Sequence, residues 1–300
     1  MQLKNTLSVF AAATLLVFGL ASVSNAAEAK KPKIFITADI EGVGHVIGRE
    51  SMAPGSYEFD RARHLMTAEV NAAIEGCLEA GAGEITVTDS HGNCLNLIPE
   101  ELNEAAFLIR GTPKPLDMMD GIDETFAGVI MIGYHAKAGT PMANIAATQA
   151  LSIFDMKING QSISETYLNA AIAGDFGVPT IMITGDQNVV KEAREILGNV
   201  ETVATKESRG FISAGSPHPN VIHRQIKEKA RTAVERMKNR EFKPLHVAGP
   251  IKMTIVYKNA YDAEHTSYLP GYRRIDGNTI LIELKDMKEV AALILGLGII

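Results

Sequence analysis

The sequence predicts an α/β protein with a mostly parallel sheet flanked by helices and a second, smaller α+β domain. Up to about residue 200, short apolar segments alternate with helix-length segments, which is typical of parallel sheets. After about residue 216, a long polar helix precedes two strands separated by a Pro-Gly turn, and a last helix follows. We therefore predict an α/β domain over residues 33–200 and a smaller C-terminal domain over 201–300, with the boundary between 188 and 215.

Residues 1–26 have the features of a signal peptide. Lys4 gives a positive start, and the apolar run 7–20 is shorter than the roughly 20 residues of a spanning helix. Ser24 and Ala26 fit a cleavage site after Ala26. We expect an exported protein, periplasmic or secreted, that does not insert into the membrane once the signal is removed. A retained N-terminal anchor is the alternative.

The charge pattern argues against two classes of partner. The net charge is −6, and no block of Lys or Arg occurs, so neither nucleic acid nor an anionic membrane surface is expected to bind. The two cysteines, Cys77 and Cys94, could pair in an oxidising compartment. Cys77 lies on the apolar face of a predicted helix, which favours a buried free thiol over a disulfide.

The first half of the chain contains four apolar segments that indicate buried strands, and one long helix. The strands are 34–38 (IFITA), 84–88, 106–109 and 128–133 (GVIMIG), and the helix runs from about 60 to 80. A Gly-rich loop follows the first strand, and Gly81 and Gly83 end the helix.

Further elements follow in the same alternating order. Ser162 to Glu165 matches a capping box at the start of a helix. The predicted elements are a strand at 155–158 with an Asn-Gly turn, helices at 164–175 and 188–197, a strand at 179–184, a helix at 219–239, strands at 251–257 and 279–284, and a helix at 286–297.

Possible metal ligands follow three of the predicted strands. Asp39 and Glu41 come directly after the first strand, and their spacing of two puts both carboxylates on one side of an extended segment. His91 follows the second strand and His135 the fourth, at the sheet edge where α/β proteins bind ligands. Taken alone, each of these residues is more often a surface or hydrogen-bonded polar group than a ligand. Glu165 is explained by the capping box, and spacing alone does not make it a ligand.

Taken together, these five residues form a set of oxygen and nitrogen donors that suits zinc or another first-row metal. A catalytic zinc usually has three protein ligands, so five donors suit two ions that share a carboxylate. Such a site activates water for attack on an amide carbonyl. Arg110, just past a strand end, could bind a substrate carboxylate, with a surface ion pair as the alternative.

These motifs resemble the M55 metallopeptidases, the zinc D-aminopeptidases of the DppA type. The resemblance runs from residue 33 to about 293. It rests on ADIEG (38–42), TDSHG (88–92), IRGTPKPLDMMDG (109–121), GYHAKAGTP (133–141), ING followed by Glu165, GVPTIMITGD (177–186) and SYLPGYRRIDGNTI (267–280). It implies two zinc ions per subunit, with Asp39 bridging them and Glu41, His91, His135 and Glu165 as the other ligands. It also implies a short peptide substrate containing D-amino acids, cleaved at its free amino end, and a homo-oligomeric assembly.

One departure from the family pattern concerns catalysis. The family carries a histidine in a stretch resembling LAHT, whereas this chain has IAAT (145–148), with Ala147 at the histidine position and Ala146 as the neighbouring alternative. Loss of such a group typically slows a reaction by about 10²–10⁴-fold. The chain is therefore expected to be a slower or differently tuned hydrolase, a hydrolase of another amide, or a binding protein that kept its metals.

Overall fold

A computed structural model of the chain describes residues 31–297, so the predicted signal peptide lies outside the described residues. The strands are β1 (Lys33–Ala38), β2 (Glu84–Asp89), β3 (Ala106–Ile109), β4 (Gly128–Tyr134), β5 (Ile153–Ile158), β6 (Gln161–Ser162), β7 (Thr180–Asp186), β8 (Glu201–Gly210), β9 (Ser213–Gly215), β10 (Ile251–Tyr257), β11 (Arg273–Arg274) and β12 (Thr279–Leu284). The helices are α1 (Phe59–Glu79), α2 (Glu165–Asp175), α3 (Gln187–Leu197), α4 (Pro219–Lys238), α5 (Ala260–Ser267) and α6 (Met287–Gly296), and two 3-10 turns span Arg49–Ser51 and Asp117–Met119.

The larger sheet is mostly parallel, as predicted. Within the described residues it has seven strands in the order β3-β2-β1-β4-β7-β8-β9, and only β9 runs antiparallel to its neighbour. The chain moves outward from β1 through β2 to β3 and then returns to place β4 on the other side of β1. The strand order therefore reverses at β1, and open α/β sheets bind ligands beside such a reversal.

The smaller sheet combines two distant parts of the chain. Its order is β11-β12-β10-β5-β6, with antiparallel pairing throughout. The strands β5 and β6 come from the middle of the chain, whereas β8 and β9 belong to the larger sheet. Strands from before the predicted boundary at residues 188–215 thus lie in the smaller sheet, and β8 and β9, at or after it, lie in the larger sheet. The position of the boundary stays a prediction.

Two apolar cores lie on opposite faces of the larger sheet. Along β1, Ile34 and Ile36 face the core that contains α1 and α4, whereas Phe35 faces the core that contains α2, α3, α6 and the smaller sheet. This alternation follows from the two-residue period of a strand. Both faces are covered, which explains why β1 and β4 are mostly apolar.

Several elements are absent from the sequence-based predictions. These are β8, β9, α5 and the two-residue strands β6 and β11. The strand β8 (ETVATKESRG) has little apolar periodicity, because some of its buried side chains are polar. Glu201 is one of these, and it forms ion pairs with Lys229 and Arg236 of α4. A strand that buries paired polar groups gives a weak sequence signal.

Two glycines allow the ends of β1 and β4 to lie very close together. The Gly42 N–H donates a hydrogen bond to the Gly133 carbonyl at 2.7 Å. A Cβ atom on Gly42 would lie 1.9 Å from the Tyr134 carbonyl oxygen, and one on Gly133 would lie 2.2 Å from that of Asp39. Gly133 also has a φ of +72°, which L side chains rarely adopt. A larger residue at either position would therefore force these strand ends apart.

The described part of the chain holds two further observations that bear on the sequence predictions. Cys77 and Cys94 are both buried free thiols. Among residues 31–297, no helix has both the length and the apolar character needed to cross a membrane.

Candidate metal centre

Three neighbouring parallel strands deliver candidate ligands to one edge of the larger sheet. In the register of the sheet, Ala38 at the end of β1 pairs with Asp89 of β2 on one side and Ile132 of β4 on the other. Asp39 follows β1 directly, His91 lies two residues beyond β2, and His135 follows β4 directly. These three side chains therefore come together because the carboxyl ends of β2, β1 and β4 lie side by side.

Asp89, which precedes His91 in the sequence block TDSHG, has a supporting role. Its carboxylate is buried and accepts hydrogen bonds from the backbone N–H groups of Asn96 and Leu97 at 2.6 and 2.7 Å. The Asn96 side chain donates to Asp89 and to the His91 carbonyl at 2.8 and 2.7 Å. Asp89 thus holds the loop that carries His91 in place through these hydrogen bonds.

Glu165 reaches the same place from α2, and here the capping-box prediction is wrong. The N-cap is Ser164, whose hydroxyl accepts a hydrogen bond from the Tyr167 N–H at 3.1 Å. Ser162 lies in β6 and donates its hydroxyl hydrogen to Asp155 instead. Glu165 is therefore the first residue of the helix and is free of a capping role, and its buried carboxylate faces His135.

The five candidate ligands form two groups that share Asp39. One group contains Asp39, Glu41 and His91, and the other contains Asp39, His135 and Glu165, with the donor atoms of each group within 4.8 Å of one another. In the first group, His91 Nδ1 lies 3.2 Å from Asp39 Oδ1 and 3.0 Å from Glu41 Oε2.

In the second group, His135 Nε2 lies 3.5 Å from Asp39 Oδ2 and 3.3 Å from Glu165 Oε2. Each carboxylate oxygen of Asp39 therefore faces a different imidazole. An aspartate in this position is suited to bridge two ions.

Protein backbone groups hold the remaining polar atoms of most of these side chains. Glu165 Oε1 accepts a hydrogen bond from the Gln149 N–H at 2.6 Å, which leaves Oε2 to face His135. The outer nitrogens, His91 Nε2 and His135 Nδ1, lie 3.2 and 3.1 Å from the carbonyl oxygens of Met52 and Ala136. A carbonyl partner fixes the outer nitrogen as the N–H, so the inner nitrogen is left as the metal donor.

The electrostatics of the cluster favour a cation. Burial raises the pKa of Asp39 to about 6, and the Glu41 carboxylate adds to this rise. Burial disfavours a charged imidazole at His91, but Glu41 and Asp39 outweigh it and raise the pKa of His91 well above its usual value. The pKa of His135 is raised in the same way by Glu165 and Asp39. Three carboxyl groups around two imidazoles thus form an electronegative cluster that divalent cations would neutralise.

The donor set fits zinc. One buried atom, Glu41 Oε2, has no hydrogen-bond donor among the described residues when His91 Nδ1, 3.0 Å away, is the unprotonated nitrogen. Buried carboxylate oxygens without a donor are costly unless a cation is bound. Carboxylate and imidazole donors without a thiolate are typical of zinc and related first-row metals, and each group offers the three ligands of an open catalytic site.

A cavity of about 460 Å³ opens over the two groups. This volume falls in the range of roughly 300–1,000 Å³ that small-molecule sites occupy. All five candidate ligands line it, and Ala147 lies in its wall, whereas Ala146 does not. The remaining lining residues are Arg49, Met52, Ala53, Ser90, Gly92, Asp117, Met118, Ile145, Gln149, Ala150 and Leu151.

The proposed substrate-binding residue Arg110 does not line this cavity. Its guanidinium group is exposed and donates a hydrogen bond to the Leu95 carbonyl at 3.4 Å. Two charged residues that sequence reasoning missed, Arg49 and Asp117, lie in the cavity wall instead. Arg49 is found in the Gly-rich loop after β1, and Asp117 is in the same sequence block as Arg110. Neither belongs to a recognisable spacing, so the sequence alone gives no signal that separates them from surface charges.

The chain is similar to known proteins over most of its length. The sequence pattern of the M55 peptidase family, described as D-aminopeptidase, matches residues 33–295. A D-aminopeptidase of Bacillus subtilis (strain 168) is 32% identical over 258 residues, which cover 86% of this chain and 93% of that protein. A solved structure described as the Zn-dependent D-aminopeptidase DppA from Bacillus subtilis, a self-compartmentalizing protease, has a TM-score of 0.84 and 32% identity. That similarity covers 88% of this chain and 96% of the other.

Proposed function

The chain belongs to the M55 family of D-aminopeptidases, and from this membership we propose that it is a zinc-dependent aminopeptidase acting on short peptides. We further propose two zinc ions per subunit, exported location, and substrates that contain D-amino acids. The observation that supports the two zinc ions most directly is the pair of ligand groups that share Asp39 beneath one cavity. Two separate donor triads are hard to explain in a protein that binds a single ion or none.

The residues that line the cavity would have different roles. Asp39, Glu41 and His91 would hold one ion, and Asp39, His135 and Glu165 the other, and zinc supplies Lewis acidity at such a site. The apolar part of the wall, which includes Met52, Met118 and Leu151, would surround the substrate side chain and exclude bulk water.

The first experiment is release of D-alanine from D-alanyl-D-alanine by the protein that lacks residues 1–26. The protein is loaded with zinc, its metal content is measured, and the assay is repeated with EDTA. We expect release that EDTA abolishes and that added zinc restores. A protein shown to hold two zinc ions that cleaves neither D- nor L-dipeptides would contradict the proposal.

A second candidate function follows from Ala147. An alanine in the cavity wall can neither transfer a proton nor stabilise an oxyanion, so the chain would be a metal- or peptide-binding protein, or a hydrolase of altered specificity. Ala147→His tests this, because the new imidazole would face the cavity. If the missing group limits the reaction, we expect turnover to rise by about 10²-fold or more. Ala146→His is the matched control, because Ala146 lies outside the wall. If the parent chain binds peptide saturably but releases no product, the result would support a binding protein.

The location and the assembly are proposals as well. Residues 1–26 support export, and cell fractionation with detection of the cleaved N-terminus tests it. The relative of known structure is described as self-compartmentalizing, which supports a homo-oligomer here. Sedimentation of the purified protein at several concentrations tests that assembly, and a monomer at all of them would contradict it.

A further inference from the structure

Two charged side chains line the cavity without belonging to either ligand group. Among residues 31–297 these are Asp117 and Arg49. They carry opposite charges, and neither forms an ion pair with another described residue. Unpaired opposite charges in the wall of one small cavity are suited to a ligand that itself carries both charges.

The backbone around Asp117 is fixed to the floor of the site. Asp117 has a φ of +51°, an uncommon conformation for a residue other than glycine. The following carbonyl, that of Met118, accepts a hydrogen bond from the Thr37 hydroxyl at 2.9 Å. The Asp117 N–H donates to the Lys114 carbonyl at 2.8 Å, and Lys114 itself donates to the Thr88 hydroxyl at 2.9 Å. The ends of β1 and β2 thus hold this turn in place, which is how strained residues persist at functional sites.

The Asp117 carboxyl lines the cavity close enough to Glu165 for the two carboxyl groups to repel each other. The pKa of Asp117 is raised to about 6, mainly by burial. A hydrogen bond from the Met118 backbone lowers it, the Glu165 carboxylate raises it, and the charge of Lys114 lowers it. No side chain of the described residues donates a hydrogen bond to it. An anion in this position would attract the ammonium group of a bound peptide.

Arg49 lies in a loop that contacts His91 in the cavity wall. It begins the 3-10 turn Arg49–Ser51, and the Met52 carbonyl directly after that turn is 3.2 Å from His91 Nε2. The Asn144 side chain donates to the Ile47 carbonyl at 2.9 Å and so holds the other end of the same loop. The Arg49 side chain is exposed at the cavity. A guanidinium group there can bind a carboxylate through two parallel hydrogen bonds.

We propose that Asp117 and Arg49 bind the two charged ends of the substrate, the amino-terminal ammonium at Asp117 and the terminal carboxylate at Arg49. The substrate class is therefore short peptides with both ends free, whose amino end points to Glu165. This inference rests on the proposed aminopeptidase function. The scissile amide of such a peptide would lie between the two charges, above the ligand groups.

The test combines two substrates with matched variants. The substrates are D-alanyl-D-alanine and its C-terminal amide, which keeps the ammonium group but has no carboxylate. The variants are Asp117→Asn, which suits the left-handed backbone, and Arg49→Gln. The controls are Arg224→Gln, an exposed arginine outside the cavity, and Glu124→Gln, an exposed acidic residue. The readouts are kcat and KM for each substrate, together with peptide binding by calorimetry to EDTA-treated protein, in which no turnover occurs.

We expect Arg49→Gln to lower kcat/KM for the free dipeptide by about 10- to 100-fold, mainly through KM, and to leave the amide within about twofold. Asp117→Asn should lower kcat/KM for both substrates by a similar factor, and the control variants should not lower kcat/KM for either substrate. Equal effects of Arg49→Gln on the two substrates, or no effect of Asp117→Asn, would overturn the assignment. If the parent chain, shown to hold two zinc ions, cleaves neither these peptides nor L-dipeptides, the aminopeptidase proposal fails. Calorimetry then tests the present inference by itself. The parent chain should bind the free dipeptide more tightly than the amide, and this difference must disappear in Arg49→Gln.

Discussion

Asp39 differs from the other four candidate ligands because both of its carboxylate oxygens face an imidazole. His91 lies beside Oδ1 and His135 beside Oδ2. Glu41 and Glu165 each belong to one group only. The structure therefore separates the residues whose loss would affect one ion from the residue whose loss would affect both.

This difference predicts the zinc content of two variants. Glu165→Gln should retain about one zinc ion per subunit, because the group of Asp39, Glu41 and His91 is unchanged. Asp39→Asn should retain none at zinc concentrations that saturate the parent chain, because both groups lose a charged ligand. Plasma emission analysis of dialysed protein measures this, with Glu124→Gln as the control. Equal zinc content in the two variants would contradict a shared aspartate.

Sequence reasoning succeeds and fails for identifiable physical reasons at this scale. Asp39, His91 and His135 are predictable because each follows an apolar strand, and parallel strands end at one edge. Glu165 is not, because the pattern Ser-x-x-Glu also describes a capping box, and only the pairing of β6 with β5 shows that Ser162 is a strand residue. Asp117 is recognisable only through its place in the wall, which depends on contacts distant in sequence.

At the scale of elements, the predictions hold where apolar periodicity dominates. The strands β1 and β4 and the helices α1 and α4 are predicted within a few residues of their bounds. The strand β8 is missed because it is stabilised partly by ion pairs. Glu201 at its start lies between Lys229 and Arg236 of α4, with its Oε2 atom 2.9 Å from Lys229 Nζ. The position of α4 on the sheet therefore depends in part on one carboxylate.

Glu201→Gln should lower the free energy of unfolding by about 1–3 kcal/mol at pH 7, because two cations lose their anionic partner. Burial alone would raise the pKa of Glu201, but the hydrogen bonds from Lys229 and Arg236 outweigh it and hold the pKa below 4.5. The stabilisation is therefore present above pH 4.5 and is lost as the pH falls through the lowered pKa.

Urea unfolding of parent and variant at several pH values measures this difference. Glu207→Gln on the same strand is the control, because Glu207 is exposed and its pairing with Arg209 is weak, with a change within about 0.5 kcal/mol. A difference between parent and Glu201→Gln that persists unchanged well below pH 4 would contradict the role of these ion pairs.

At the scale of the whole molecule, the proposed ions would join four elements. They would connect the ends of β1, β2 and β4 with the start of α2, and these elements belong to both apolar cores. Ligands that bind only the folded state stabilise it by mass action, by about 4 kcal/mol at a thousand times the dissociation constant.

Removal of zinc with EDTA should therefore lower the Tm by an amount on the order of 10 °C for a chain of this size. Differential scanning calorimetry measures the shift, and excess zinc should reverse it. Asp39→Asn provides the control, because its Tm should not respond to EDTA. A parent chain whose Tm is the same with and without EDTA would argue against ions at this position.

The exchange of strands between the two sheets has a consequence for the order in which the protein is made. Glu165 lies three residues after the end of β6, and β6 is anchored through β5 to β10, which the ribosome produces much later. The other four candidate ligands are positioned by strands of the larger sheet alone: Asp39, Glu41, His91 and His135. A nascent chain that ends before Ile251 would therefore carry four candidate ligands in position, whereas the helix that begins with Glu165 would lack its contacts with α6 and the support of β10. We therefore expect the fifth candidate ligand to be fixed in place only late in synthesis, after the other four.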